Sequence, residues 1–181
     1  LLAVTISFYF FVYTIWLKRK TSQNIVIGGA AGALPPVIGW TISTGNISIA
    51  PLILFLIIFF WTPSHFWALS LYKADDYKKA KIPMLPLISG ADVTKKNIFI
   101  YSLLMIPAVA STYFFNLSGL FISSINLILT LYYVYLCFLL LKSQSLVKSN
   151  ILAKRVFVYS IFYLFLIYLL ILIDGFIGIY Y

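Results

Sequence analysis

Residues 50–72 read APLILFLIIFFWTPSHFWALSLY, a run with no acidic or basic side chain other than the single histidine, His65. Wound as a helix at about 1.5 Å per residue, it is long enough to cross the roughly 30 Å hydrocarbon core of a bilayer. The pattern repeats on both sides, and apolar spans are expected at 1–17, 25–43, 50–72, 98–115, 120–141 and 156–173. Of the 181 residues, 63% are hydrophobic and only 9% charged. So few charges cannot cover a water-exposed globule of this length, so the fold class is all-α: a polytopic membrane helix bundle with six transmembrane helices.

The net charge of +9 does not point to nucleic acid, because the cations sit in the connections between apolar runs. Taken in chain order, the six segments that follow the spans hold 3, 0, 6, 0, 4 and 0 basic residues, which accounts for all 13. Loops that keep positive charge stay cytoplasmic, so the three basic loops are expected inside and the C-terminus, including Tyr181, outside. The lone Cys137 excludes an internal disulfide, and with one histidine no Cys/His metal cluster can form. The first span is short, starts on Leu1 and lacks the flanks of a signal peptide. On that reading 1–181 is a single transmembrane domain that is N-terminally incomplete.

The long connection 73–97, expected as a cytoplasmic loop, holds three of the four acids, Asp75, Asp76 and Asp92. Adjacent carboxylates beside Lys78 and Lys79 suit a diphosphate held through Mg²⁺, since Mg²⁺ takes one or two carboxylates together with phosphate oxygens. A solvated loop whose aspartates pair with lysines fits the same composition. His65 is either a site residue, as ionisable groups inside a span often are, or a structural histidine bonded to a neighbouring helix. Pro63 beside it is expected to kink the helix and open space. Lys18, Arg19 and Lys20 either hold phosphate or set orientation. Gly28 and Gly32 form a GxxxG pair suited to close helix packing, and Pro35-Pro36 should break the second span. The aromatic residues of the last two spans, among them Tyr132, Tyr133, Tyr135, Phe162, Tyr163 and Phe165, read as packing or lipid-facing residues.

Three blocks, Tyr13 to Ala33 with its Lys-Arg-Lys-Thr-Ser-Gln-Asn link, Trp61-Thr62-Pro63-Ser64-His65-Phe66-Trp67, and Asp75-Asp76-Tyr77 through Ile82-Pro83-Met84-Leu85-Pro86, closely resemble the protoheme IX farnesyltransferase (heme O synthase) family. That family belongs to the intramembrane aromatic prenyltransferase superfamily. The resemblance covers the whole chain and implies helices four to nine of a nine-helix fold around a central cavity. It implies farnesyl transfer from farnesyl diphosphate to a vinyl carbon of heme b, with water adding to the neighbouring carbon to give heme O. It further implies Mg²⁺ as cofactor, the bacterial inner membrane as location, and a downstream heme-modifying enzyme or terminal oxidase assembly as partner.

Carried onto this sequence, the resemblance makes Asp76, Asp75, His65 and Tyr77 catalytic, Asp76 and Asp75 metal ligands, and Lys18, Arg19, Asn24, Lys78 and Lys79 substrate-binding. The chain departs from the family pattern at Lys81, where glycine is common, and at Ser64, where a second proline is common. The first of the family's two Asp-rich segments has no counterpart. Two other functions remain open: a prenyltransferase for another aromatic acceptor such as a quinone precursor, and a non-enzymatic six-helix transporter or structural subunit.

Overall fold

The computed structural model describes residues 2–178, and these form an all-helical bundle. In chain order its helices are α1 (Leu2–Leu17), α2 (Asn24–Gly32), α3 (Pro35–Thr44), α4 (Ile49–Tyr72), α5 (Ala74–Lys79), α6 (Leu85–Ser89), α7 (Ala91–Phe114), α8 (Leu120–Leu141) and α9 (Leu146–Ile177). Five stretches are long and apolar enough to cross a membrane, with α2 and α3 counting together over Asn24–Thr44, and α1 is a shorter apolar helix. Leu1 and Tyr181 lie outside the described residues, and with Tyr181 the expected outer position of the C-terminal end.

The core is the packing of α4 against α7 and α9, with α8 closing the group against α7 and α9. Trp67, Ile57, Ile98, Met105, Val109, Tyr133, Leu140, Val156 and Ile167 are among its fully buried members. Registers between antiparallel α4 and α9 are fixed by polar groups. Tyr168 donates to the Leu54 carbonyl at 2.6 Å, and Trp61 Nε1 donates to the Ser160 carbonyl at 2.9 Å. Inside the apolar bundle an unpaired donor has no water to turn to, so such bonds specify one rotation of each helix.

Several boundaries differ from the sequence expectation. Helix α7 begins at Ala91 rather than 98, after Gly90 at φ 84°, a conformation open to glycine; Asp92 then sits in its first turn. Helix α9 begins at Leu146 rather than 156, where the Ser145 hydroxyl accepts from the Lys148 N–H at 3.3 Å. Lys95, Lys96, Lys148, Lys154 and Arg155, expected in loops, therefore lie on helices. The stretch 73–97 contains α5, α6 and the start of α7. Pro63 lies within an unbroken α4, whereas Pro35 and Pro36 do end one helix and start the next.

The glycine reading shifts by one position. The Tyr13 ring lies against Gly28, and a Cβ added at Gly29 would stand 3.0 Å from Thr62 Cγ2 of α4, while one added at Gly32 would meet nothing within 4 Å. The close approach of α2 thus uses Gly28 and Gly29, on two sides of the helix.

Candidate functional site at the basic end of the bundle

The basic connections collect at one end. There α5 follows α4 after a one-residue break at Lys73, and its first turn carries Asp75 and Asp76, both exposed. Acidic residues early and lysines late, here Lys78 and Lys79, suit the dipole of a helix as short as this one. Asp76 pairs with Lys73 at 3.2 Å, with both side chains more than half exposed. Such a pair is weak and gives way readily to a stronger ligand. Asp75 has no ion-pair partner among the described residues. Successive helical residues point about 100° apart, so Asp75 and Asp76 do not converge on one point. No group of three or more His, Cys, Asp or Glu side chains that could hold a metal exists among the described residues. The donor set fits an ion held by one carboxylate and shared with phosphate oxygens, and does not fit an all-protein cage.

Tyr77, on the inner side of α5, is half-buried. Burial, with Tyr72 near it, holds its phenol above the ordinary value of 10.0, so at neutral pH it is a neutral donor. It comes within electrostatic range of Tyr13 on α1, which joins the two connections at this end. After α5 the chain turns through Lys81 at φ 55°, left-handed backbone that favours glycine, with the Ile82 N–H bonded to the Tyr77 carbonyl at 3.1 Å. Lys81 therefore stands at a position where the turn favours glycine.

The α1–α2 connection presents exposed Arg19 and partly exposed Lys18. Asn24 is only 1% exposed, and its amide nitrogen donates to the Lys18 carbonyl at 3.0 Å, closing the turn. Its Oδ1 is buried without a partner, and being an acceptor it does not face an anion. Asn24 therefore shapes the turn that displays the cations.

His65 is set deeper and looks elsewhere. Its ring stacks between Trp61, at 4.2 Å between centroids, and Phe157, at 4.6 Å, and its Nδ1 lies 2.6 Å from Ser160 Oγ. The Ser160 hydroxyl donates to the Phe157 carbonyl at 2.6 Å, so Nδ1 is the donor to Ser160 and Nε2 keeps its lone pair. His65 also lines an apolar groove of about 390 Å³ between α4 and α9. This groove lies beside His65 on the face toward α9, and Pro63 does not line it. The neighbours that bond or stack with His65 are on α4 and α9, and the carboxylates are not among them.

The partners of several polar residues were not readable from the sequence. Lys95 is 4% exposed, and its ammonium donates to the Ser143 carbonyl at 2.9 Å. Asp174 is 2% exposed and accepts from the Gly119 N–H at the start of α8. Ser64 bonds Tyr133 Oη at 2.8 Å, and Thr130 bonds Tyr163 Oη at 2.9 Å, tying α4 and α9 to α8. The aromatic residues of the last spans thus divide: Tyr133 and Tyr163 are fully buried, and Tyr132, Tyr135, Phe162 and Phe165 face outward.

The described residues thus form a bundle of long apolar helices whose charged connections lie at one end. The chain belongs to the UbiA prenyltransferase family, whose model matches residues 1–161. It is 64% identical over 174 residues to the protoheme IX farnesyltransferase of Pelagibacter ubique (strain HTCC1062), covering 96% of this chain and 57% of that protein. Proteins of the same name from Parvibaculum lavamentivorans and Rickettsia bellii are 49% and 51% identical, over 98% and 94% of this chain and 56% of each relative. The chain spans a little over half the length of these relatives. No solved structure matches it.

Proposed function

We propose that this chain takes part in farnesyl transfer from farnesyl diphosphate to a vinyl group of heme b, forming heme O. The observation that carries the reading is the 64% identity to a protoheme IX farnesyltransferase across 96% of the chain. The exposed carboxylates and lysines of α5 support it.

In this reaction the C1–O bond of the farnesyl group breaks and the diphosphate leaves with the electron pair. The vinyl π pair forms the new C–C bond, and the cation on the adjacent carbon takes up water and loses a proton. Lys78 and Lys79 draw the diphosphate to α5, and Lys18 and Arg19 meet it from the α1–α2 turn. Tyr77, a neutral phenol, donates a hydrogen bond to a phosphate oxygen. Asp76 would hold Mg²⁺ together with phosphate oxygens, supplying charge neutralisation of the leaving diphosphate, and Asp75 beside it would bind the ion's water or a second ion. His65, with Nε2 unbonded beside the apolar groove, takes the proton released as water adds. The apolar interior limits water to that step. The basic connections lie on the cytoplasmic side of the bacterial inner membrane, and heme O passes to a heme-modifying enzyme or a terminal oxidase assembly.

The test compares two aspartates in the chain co-expressed with the part of the Pelagibacter ubique relative that it does not cover. Asp76→Ala should lower heme O formation by about a hundredfold or more, the scale of losing a group that stabilises developing charge, while Asp92→Ala leaves it unchanged. Equal activity of the two variants would remove the α5 site.

A further inference from the structure

We infer that the groove between α8 and α9 holds one anionic phospholipid, its phosphate on Lys154 and Arg155 and its acyl chain along Tyr159 and Phe162. This goes beyond farnesyl transfer and concerns a different face from α5. The groove has a volume of about 610 Å³, and Tyr132, Leu136 and Val158 complete its wall.

Three observations point to this occupant. The first is charge. All four acids of the chain are accounted for elsewhere: Asp76 pairs with Lys73, Asp92 with Lys95, Asp174 is buried on the Gly119 N–H, and Asp75 stands on α5. Exposed Lys154 and Arg155 thus have no acidic partner among the described residues and are open to an anion from outside the chain. The second is depth. Asp174 meets the first residue before α8 at the far end, and from there back to Arg155 is about 28 Å along α9, close to the roughly 30 Å of a hydrocarbon core. Both cations thus stand at the level of lipid headgroups, while Val158, Tyr159 and Phe162 lie one to two turns deeper, among acyl chains. The third is shape. The Tyr159 hydroxyl is committed to the Leu129 carbonyl at 3.0 Å, and the Tyr132 ring packs edge-on against Tyr159 at 5.0 Å. Tyr159 and Tyr132 are therefore held in place before any lipid arrives, and their binding face needs little ordering.

Two cations over an apolar slot match a phosphate ester carrying long chains. A zwitterionic headgroup would bring its own ammonium against Arg155. The full chain, purified into nanodiscs of equal phosphatidylglycerol and phosphatidylcholine and then released for native mass spectrometry, should retain one phosphatidylglycerol. Its preference over phosphatidylcholine should be about thirtyfold, as expected for two cations at a membrane surface.

Lys154→Gln with Arg155→Gln should reduce retention to the phosphatidylcholine level. Val158→Trp, which fills the groove at a 42% exposed position and keeps both cations, should do the same. Lys96→Gln with Lys148→Gln, exposed cations outside the groove, should change nothing. Equal retention of both lipids overturns the inference, as does an equal loss in the Lys96/Lys148 variant, which would mean surface charge alone. Undiminished retention in Val158→Trp, or displacement of the lipid by millimolar inorganic phosphate, overturns it too.

Discussion

Lys81 shows at the scale of one residue how sequence and structure inform each other. A lysine at φ 55° carries a steric penalty that glycine does not, of about 1–2 kcal/mol. Lys81→Gly should therefore raise the unfolding free energy in detergent by up to about 1 kcal/mol after the added freedom of the unfolded chain is subtracted. An unchanged or lower stability would mean that the turn after α5 is not held left-handed. At Tyr133 the side chain fills the core and its hydroxyl ties α8 to Ser64. Tyr133→Phe should cost about 0.6 kcal/mol, the usual worth of an interhelical hydrogen bond in a membrane bundle, and Tyr133→Ala about 3–5 kcal/mol through the cavity it leaves. An SDS-titration series on the two variants checks that ratio. The special status of Lys81 was legible by resemblance, because a position that commonly takes glycine advertises its backbone. Tyr133 was not legible, since nothing in a run of tyrosines says which hydroxyls find partners.

Helix α8 illustrates what binds the elements together. Its N-terminal end receives the Asp174 carboxylate and its C-terminal side the Lys95 ammonium, so both ends carry the charge that complements the helix dipole. The two groups come from α9 and α7, which means that the flanking helices are fastened to α8 at opposite ends. Asp174→Ala should cost about 0.5–2 kcal/mol as a lost cap, and Lys95→Met about 1–3 kcal/mol because it strips a buried carbonyl of its donor. The ends of α8 are far enough apart that the double variant should show the sum within about 0.5 kcal/mol. A clear shortfall from the sum, measured by the same titration, would contradict two independent fastenings. Sequence placed the apolar stretch of α8 correctly because hydropathy alone marks it. It set the starts of α7 and α9 too late because charge reads as loop, whereas Lys95, Lys148 and Arg155 ride on helical turns.

For the molecule as a whole, the alternation of basic and uncharged connections is the feature that organises everything else. Cysteines introduced at the exposed positions Gln23, Ser89 and Gln144 should react with an impermeant reagent from the cytoplasmic side only, and those at Asn46 and Phe115 from the other side only. Ser149 is a poor reporter despite its place after the fifth span, because it is buried and bonded to Ser143 at 2.8 Å. One position labelled from the wrong side would break the arrangement that gathers α5 and the α1–α2 turn at one interface. That the chain forms a bundle of apolar helices was legible from its composition. The separation of His65 from the carboxylates was not, because the rotation of α4 is decided by Ser160 and Tyr168 on a helix distant in sequence.

Acceptor choice is where the account stands most exposed. Membranes holding this chain together with the uncovered part of its Pelagibacter ubique relative, and no other prenyltransferase, would be given isotopically labelled farnesyl diphosphate with heme b and a quinone precursor at equal concentration. Extracted products would then be separated and weighed by mass spectrometry. The account predicts label in heme O alone, the mass of heme b raised by one farnesyl group and the elements of water less a proton exchanged. Label in the quinone precursor, or none in either acceptor, would contradict it.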